Sequence, residues 1–271
     1  MGIALLVAVY SFKEQSQKTF TQVGLGVDAI LAPKGSPLQI VLNAIYHLED
    51  MPGKIKWTYY KEVEKERIIT QAIPFVVGHS FGVSRVNAID SRFLTEFEYM
   101  PGETFSFTEA DGGKGRPFAK SHEAVAGWAA AKDLNIQLGQ TFNPVCGVQE
   151  SDPVHKTERI TFVGIMAPTG TPHDRAIYIP LETFYGLEGH PQETMIMAKQ
   201  EQYREISGAY LKLKRIRKGA MHPGIQDLKF AINQSERNQI VVPAEVMPRL
   251  HNIKIKIDFL IFTQSQCFCQ K

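Results

Sequence analysis

The chain has 271 residues, which is enough for one large domain or two small ones with a sizeable core. Its 30 basic and 28 acidic residues leave a net charge of +2, so neither a nucleic acid nor an anionic membrane face is expected as a partner. Three cysteines make no disulfide framework, and the pair Cys267 and Cys269 has no further ligands nearby for a structural zinc ion.

The first segment, residues 2–10, is apolar and uncharged. As a helix it would rise about 14 Å, less than half of a hydrocarbon core of about 30 Å. No basic residue precedes it and no small-residue cleavage site follows it, which is unlike a signal peptide. We predict that residues 1–12 are the C-terminal part of a first transmembrane helix that begins upstream, with Tyr10 at the membrane interface. The alternative is a buried first strand of a soluble domain.

Two amphipathic helices follow in the predicted order. The first covers residues 36–48, with Ser36 as N-cap and Pro37 at the first helical position. Its predicted apolar stripe consists of Leu38, Val41, Leu42, Ile45 and Leu48. The second helix covers residues 56–66, and its inward side chains are Trp57, Tyr60 and Val63.

The remaining pattern mixes short strands with short helices, which predicts an α+β fold. Strands are expected over residues 69–77, 84–89, 123–126, 160–166 and 176–179, and short helices over 128–134 and 181–185. A β-α-β unit closes the pattern, with strands at 209–213 and 239–242 around a helix with the stripe Ile225, Leu228 and Ile232. The basic run from Lys212 to Lys218 is interpreted as the solvated face of a strand.

Residues 78–82 match G-x-S-x-G, the turn that exposes the nucleophilic serine of α/β-hydrolases. The residues after Ser80 are typical of a strand, whereas a nucleophile elbow leads into a helix. Pro74 also lies inside the strand that would have to be central. The order Ser80, Asp174, His222 would still supply a triad, so a serine hydrolase stays as an alternative. We favour a structural turn.

Other short motifs predict no cofactor, no metal and no catalytic residue. Residues 24–29 fit G-x-G-x-x-A, but Pro33 and Gly35 stop any helix that could face a pyrophosphate, so a plain turn is expected. The chain has no P-loop sequence. Its eight histidines show no paired ligand spacing and are expected on the surface or satisfied in the core. Glu62 and Glu66 are interpreted as a solvated helix face.

Two long stretches carry a family resemblance. Residues 26–39 read GVDAILAPKGSPLQ and continue to Leu48, and residues 164–181 read GIMAPTGTPHDRAIYIPL. Both resemble the periplasmic core domain of MacB-like permeases, in the FtsX/MacB group of ABC transporters. A weaker likeness lies at EAVAG (residues 123–127) and LGQTF (residues 138–142). The resemblance extends from about residue 2 to about residue 250.

The resemblance implies a role in the bacterial inner membrane. Such permeases have four membrane helices, with a large extracytoplasmic domain between the first and the second. The domain has a Porter-like β-α-β lobe and a second mixed lobe, pairs with another permease copy, and couples to a separate cytoplasmic ABC ATPase. Motion of the membrane helices is relayed outward to a substrate or to an extracytoplasmic partner protein. In that family the region of Ser80 is a strand and loop.

The predicted domains are therefore residues 1–12, the end of the membrane helix, residues 13–250, the two-lobed core domain, and residues 251–271, an atypical tail. The second membrane helix of the family is expected soon after Leu250, yet no long apolar run follows. This departure predicts a truncated or frame-shifted product. A soluble extracytoplasmic binding module is the remaining alternative to a transporter domain, and it would need a concave pocket with convergent polar groups.

Overall fold

The fold is built on a large mixed β-sheet. The computed structural model describes residues 25–110, 113–147, 159–187, 200–216 and 221–247. Their strands are β1 (Ala29–Pro33), β2 (Ile55–Lys56), β3 (Ile69–Phe81), β4 (Ser84–Ile89), β5 (Glu98–Met100), β6 (Glu103–Thr104), β7 (Glu109–Ala110), β8 (Gly113–Lys114), β9 (Glu123–Ala126), β10 (Thr141–Phe142), β11 (Val145–Cys146), β12 (Ile160–Ile165), β13 (Ile177–Pro180), β14 (Glu205–Ile206), β15 (Gly208–Leu213) and β16 (Asn238–Val241). The helices are α1 (Pro37–Ala44), α2 (Trp57–Glu64), α3 (Arg92–Thr95), α4 (Trp128–Asp133), α5 (Leu181–Gly186) and α6 (Ile225–Asn233), with 3₁₀ turns at Pro172–Arg175 and Glu201–Tyr203.

Ten of these strands share one sheet, in the order β10-β12-β9-β13-β4-β3-β15-β1-β16, with β11 added to the last part of β3. The pairs β12–β9 and β13–β4 are parallel, and the other pairs are antiparallel. We call β10, β12, β9, β13 and β4 the β9 half, and β3, β15, β1 and β16 the β1 half. The halves join at the β3–β4 ladder, which we call the seam. The predicted α+β class is confirmed.

The predicted β-α-β unit is present in a split form. Strands β15 and β16 are connected through α6, and both are antiparallel to β1, which lies between them. Ile30 of β1 therefore pairs with Tyr210 on one side and with Val241 on the other. The strand that opens the described chain and the strand that closes it are thus direct neighbours.

Strand β3 is long and bends near its middle. Its pairing with β4 shifts register between Val76 and His79, and Gly78 has a φ of 144° at this point, where glycine is favoured. The first part of β3 pairs with β15 and the last part with β11. Pro74 lies inside this central strand, opposite Ala209, so its use as evidence against a central strand was wrong. The missing N–H is accommodated close to the bulge.

Helices cover both faces of the sheet. Ala29 and Leu31 of β1 contribute to a core shared with α2, α4, α5 and α6. Ile30 and Ala32 contribute to the opposite core, shared with α1 and α3. Because water reaches neither face, β1 consists of consecutive apolar residues instead of an alternating pattern. Burial of each large aliphatic side chain contributes about 2 kcal/mol to folding.

Helix α1 begins as predicted, with Pro37 at its first position, but it is shorter than predicted. The Ser36 side chain makes no capping hydrogen bond. The helix ends at Ala44, and His47 then turns the chain with a φ of 57°. Leu48 therefore leaves the predicted apolar stripe and is 64% exposed.

The predictions for the inward face of α2 and for the basic run have different outcomes. The inward face of α2 is confirmed, because Trp57, Tyr60 and Val63 are buried. Residues 217 and 218 of the basic run lie outside the described residues, and the described part is only partly solvated: the ammonium of Lys212 lies 4.7 Å from the ring centroid of Phe97. Burial is the main reason that the pKa of Lys212 is lowered. One side of β15 is thus covered where an open face was expected.

The membrane segment cannot be compared with the structure. Over the described ranges, no helix combines the length and the hydropathy that crossing a bilayer requires. Residues 1–12, the predicted end of a membrane helix, lie outside the described residues, and so does the tail with Cys267 and Cys269.

Candidate functional site

A cleft of about 860 Å³ opens where the two halves of the sheet meet. Its wall on the β1 half comes from α2 and from residues 201–204. Its wall on the β9 half comes from α3, the loop 116–121 and the start of α5. The floor includes Ile89 and Pro180, the last residues of the parallel strands β4 and β13. The carboxyl ends of parallel strands are a common place for binding sites in proteins with mixed sheets.

Arg92 of α3 links the two walls of this cleft. Its Nε and Nη2 donate to Asp90 Oδ1 and Oδ2, each at 3.0 Å. Nη2 also donates to the carbonyl oxygen of Ala72 in β3, at 3.2 Å, and lies 3.6 Å from Glu64 Oε1 of α2. The hydrogen bond with Asp90 raises the pKa of Arg92, so the guanidinium stays charged. This one side chain therefore ties α3 to two elements of the β1 half.

Tyr60 and Lys61 of α2 complete this group. The Tyr60 hydroxyl lies 2.7 Å from Glu64 Oε1 and 3.2 Å from the Ala72 carbonyl oxygen. Burial is the main reason that the pKa of Tyr60 is raised, so the phenol stays a neutral donor. Burial also opposes charge on Glu64, but hydrogen bonds from Lys61 and Tyr60 outweigh it and lower the pKa of Glu64. The carboxylate is thus ionised and engaged from three sides.

A second contact between the halves lies on the other side of the cleft. Arg204, next to β14, stands 3.9 Å from Glu182 of α5. Its guanidinium also lies 5.1 Å from the ring centroid of Tyr185, a cation–π contact. The Tyr185 hydroxyl donates to the Glu205 carbonyl oxygen at 2.5 Å. Arg204 and the next residue, Glu205, are thereby attached to α5.

The loop that closes the cleft on the β9 half is held by Glu123. Arg116 donates to both of its carboxylate oxygens, at 2.9 and 2.5 Å, and the amides of Ala119 and Lys120 add two hydrogen bonds. The bond from Arg116 is the main cause that lowers the pKa of Glu123 to about 2. Arg92 and Arg116, which line the cleft, are therefore each paired with a carboxylate of the protein itself.

Ser80 does not occupy a nucleophile elbow. Strand β3 ends at Phe81 and β4 begins at Ser84, so the motif lies in a β-hairpin, and the predicted strand over residues 84–89 is confirmed. The Ser80 side chain is buried, and its hydroxyl donates to the Gly147 carbonyl oxygen at 2.6 Å. The neighbouring His79 packs edge-on against Phe184, with ring centroids 4.9 Å apart.

The other members of the conceivable triad have partners of their own. The Asp174 carboxylate accepts the amide protons of Thr169 and Gly170, at 3.0 and 2.9 Å. His222 Nδ1 accepts the amide proton of Gly224 at 3.1 Å. In the described part of the chain, no hydrogen bond joins Ser80, Asp174 and His222. The same part contains no group of three or more His, Cys, Asp or Glu side chains placed for a metal ion.

The sequence matches a known protein family over most of its length. The family model described as MacB-like periplasmic core domain matches residues 1–214. The chain belongs to this family. MacB-like domains are the extracytoplasmic parts of ABC-transporter permeases, and permease domains of this kind are not themselves enzymes.

One solved structure agrees with the MacB-like fold, and a second is reported beside it. The periplasmic region of MacB from Actinobacillus actinomycetemcomitans is 11% identical, with 86% of this chain and 96% of that chain covered and a TM-score of 0.50. The extracellular domain of the noncanonic ABC-type transporter YknZ from Gram-positive bacteria is 12% identical, with coverage of 78% and 98% and a TM-score of 0.42. At such identities the MacB likeness concerns the fold. No curated protein matches the chain.

The glycine-rich segment of this MacB-like domain is a turn, as predicted, and no helix follows it. Gly26 has a φ of 80°, and the chain continues directly into β1. Asp28 accepts the amide proton of Leu213 at 2.8 Å and forms an ion pair with Arg215. Part of the basic run thus fastens the end of β15 to the start of β1.

One buried group of polar side chains in this MacB-like domain was not predicted from the sequence. His47, Tyr178, His173 and Asn87 form a buried polar cluster, which we call the histidine chain. His47 is the second-last residue of the first family-like stretch, and the rings of His173 and Tyr178 belong to the second, so both stretches meet here. Histidines in turns carry no periodic signal, which is why their burial could not be predicted.

Proposed function

We propose that this domain relays motion from the membrane helices of a permease to the outer side of the membrane. A separate cytoplasmic ABC ATPase supplies the energy, two permease copies work together, and the domain itself breaks no bonds. The intact permease resides in the bacterial inner membrane, with this domain outside the cytoplasm. Residues 1–12 form the end of the first membrane helix, and residues 13–250 form the relaying unit.

The observation that carries this proposal is the position of β1 beside β16. Ile30 pairs with Val241, so the chain enters the sheet and leaves it at the same edge and the same end. A domain inserted between two membrane helices needs this arrangement, because both connections must return to one membrane surface. A displacement of either helix then acts on one pair of neighbouring strands.

The continuous sheet supports the transmission of motion from one side of the domain to the other. Its strands are hydrogen-bonded to one another from β10 to β16, and both of its faces are buried. Because the interior is close-packed, a displacement of β1 is transmitted through the sheet to its far edge. At the seam, Arg92 and Arg204 add contacts between the halves. The two halves correspond to the two lobes that the family resemblance implies.

A binding module would need a pocket of a different kind. Ligand pockets are mostly apolar, with a few polar groups that converge on the ligand. Arg92 and Arg116 line the cleft at the seam, and their guanidinium groups pair with Asp90 and Glu123 of the domain itself. These ion pairs favour a fixed contact between the two halves of the sheet over a ligand pocket.

The proposal can be tested on the permease that contains this domain, reconstituted with its ATPase. Val83 lies in the turn between β3 and β4 and is 86% exposed, so Val83→Cys accepts a spin label after the native cysteines are replaced by serine. We expect the label-to-label distance between two copies to change when ATP is added, and to stay unchanged with an ATPase that cannot hydrolyse ATP. An identical distance in both cases would contradict the relay.

A further inference from the structure

The histidine chain joins four separate elements inside the core. Asn87 Nδ2 of β4 lies 3.1 Å from His47 Nδ1, in the turn after α1. His47 Nε2 lies 3.4 Å from the Tyr178 hydroxyl of β13. That hydroxyl lies 2.9 Å from His173 Nδ1, in the 3₁₀ turn Pro172–Arg175. His173 and Tyr178 are both 0% exposed.

One set of protons gives each contact in this chain a donor and an acceptor. An amide nitrogen can only donate, so His47 Nδ1 accepts from Asn87, and the proton of a neutral His47 is on Nε2. That N–H points to the Tyr178 oxygen, and the phenol then donates to His173 Nδ1. Each imidazole therefore uses its basic nitrogen as an acceptor. A further proton on His47 Nδ1 would face the Asn87 amide nitrogen, a second donor, and a proton on His173 Nδ1 would end the hydrogen bond that the Tyr178 phenol donates.

Within the ranges that the structure describes, no acidic group compensates a charge on these rings. His47 faces Arg85 of β4, whose side chain pairs with Asp50 at 3.0 Å and whose field disfavours protonation. His173 packs edge-on against Phe93 and Phe105, with centroid distances of 5.2 and 5.6 Å.

The remaining titratable groups near the chain are engaged elsewhere. Asp174, next to His173, turns its carboxylate to the amides of Thr169 and Gly170. Tyr210 of β15 donates its hydroxyl to the Ala44 carbonyl oxygen at 2.5 Å. Among the described residues, His173 Nε2 is a buried nitrogen without a hydrogen-bond partner.

We propose that the histidine chain is an acid-sensitive fastening, which holds the end of α1 and the 3₁₀ turn 172–175 to the sheet at neutral pH and releases them when the imidazoles take up protons. The ion that triggers the change is the proton itself, from the solution around the domain. The inference rests on the cluster alone and does not depend on the relay function.

The direction of the pH effect follows from burial. Burial is the main cause that lowers the pKa of His47 to about 4, and it holds the pKa of His173 well below 6.5. Unfolded histidine titrates at 6.5. The unfolded chain therefore binds more protons than the folded one at mildly acidic pH. Stability is complete above about pH 6.5 and falls as the pH drops toward 4.

The experiment uses the full chain and compares unfolding by urea at pH 7 and pH 5. From the His47 value, this site alone should raise the equilibrium constant for unfolding by about twentyfold between the two pH values. The double variant His47→Gln, His173→Phe should have a much flatter pH dependence. His222→Gln is the control, because His222 is partly exposed at the surface and should leave the wild-type dependence unchanged.

Two measurements on the unchanged protein cover the case in which the double variant does not fold. Histidine NMR titration should show two imidazoles that stay neutral down to about pH 5. Hydrogen-exchange protection factors should fall at pH 5 for the amides of His47 and Leu48, which bond to the Asn43 and Leu42 carbonyls, more than for those of β1. All imidazoles titrating near 6.5, or equal loss of protection in β1, would overturn the proposal.

Discussion

At the scale of single residues, the hydroxyl of Ser80 illustrates how a partner determines what a side chain can do. Its proton is donated to the Gly147 carbonyl oxygen, and the side chain is buried within a β-hairpin. An activated serine needs its proton directed to a base and its oxygen open to a substrate. Ser80 meets neither condition, so the hydroxyl is a structural donor that attaches β11 to β3.

We therefore expect a fluorophosphonate probe to leave Ser80 unlabelled. Ser80→Ala should lower the free energy of unfolding by about 1 kcal/mol, because the Gly147 carbonyl loses its donor. Intact-mass spectrometry after probe treatment and urea unfolding measure the two effects. Labelling that disappears in Ser80→Ala would contradict this account and support a hydrolase.

The structural roles of some single residues could be predicted from the sequence, and those of others could not. The structural role of Ser80 was predictable, because the residues that follow it alternate like a strand. The burial of His47 and His173 was not, because it depends on contacts with β4 and β13 that are far away in the chain. Leu48 was assigned to the core because the turn at His47 has no local sequence signal.

At the scale of elements, Arg92 connects α3 with α2 and β3. Its guanidinium is about a third exposed, so solvent weakens its ion pairs, but the bidentate contact with Asp90 and the bond to Ala72 fix its geometry. Removal of this side chain takes two hydrogen bonds from the Asp90 carboxylate and one from the Ala72 carbonyl oxygen. The contact between α3 and the β1 half then depends on apolar packing.

Arg92→Ala should lower the free energy of unfolding by about 1–2 kcal/mol. Arg175 is exposed and lies in the β9 half, as α3 does. Arg175→Ala should change the free energy of unfolding by less than about 0.5 kcal/mol. Urea unfolding at pH 7 compares the two variants. Equal effects would show that the contacts of Arg92 contribute nothing specific to the seam.

The turn before β1 gives a second test at this scale. Gly26 and Gly102 have almost the same backbone conformation, with φ of 80° and 79°. A Cβ at Gly26 would lie 1.9 Å from the Glu98 carbonyl oxygen, whereas a Cβ at Gly102 meets nothing within 4 Å. Gly26→Ala should therefore cost more than about 2 kcal/mol and Gly102→Ala about 1 kcal/mol. Thermal unfolding that ranks them equally would contradict the close approach.

At the scale of the whole molecule, the ten-stranded sheet is the feature that sequence reasoning missed. Periodicity predicted α2, the strands around Ser80 and the β-α-β unit, because these signals are local. The order of the strands depends on pairings between distant segments, such as Ile177 with Val86 and Ala209 with Pro74. Two lobes were expected from the family resemblance, and the ten-stranded sheet runs without a break through β3 and β4.

The central claim is that this domain moves as one body when the permease works. The most direct measurement places spin labels on both sides of the seam within one copy, at Glu62→Cys on α2 and Arg175→Cys on the β9 half, both exposed positions. With the ATPase and ATP present, we predict a narrow distance distribution that stays unchanged, while the distance between copies changes. A distance across the seam that shifts or broadens with ATP would contradict the claim, because the halves would then move independently.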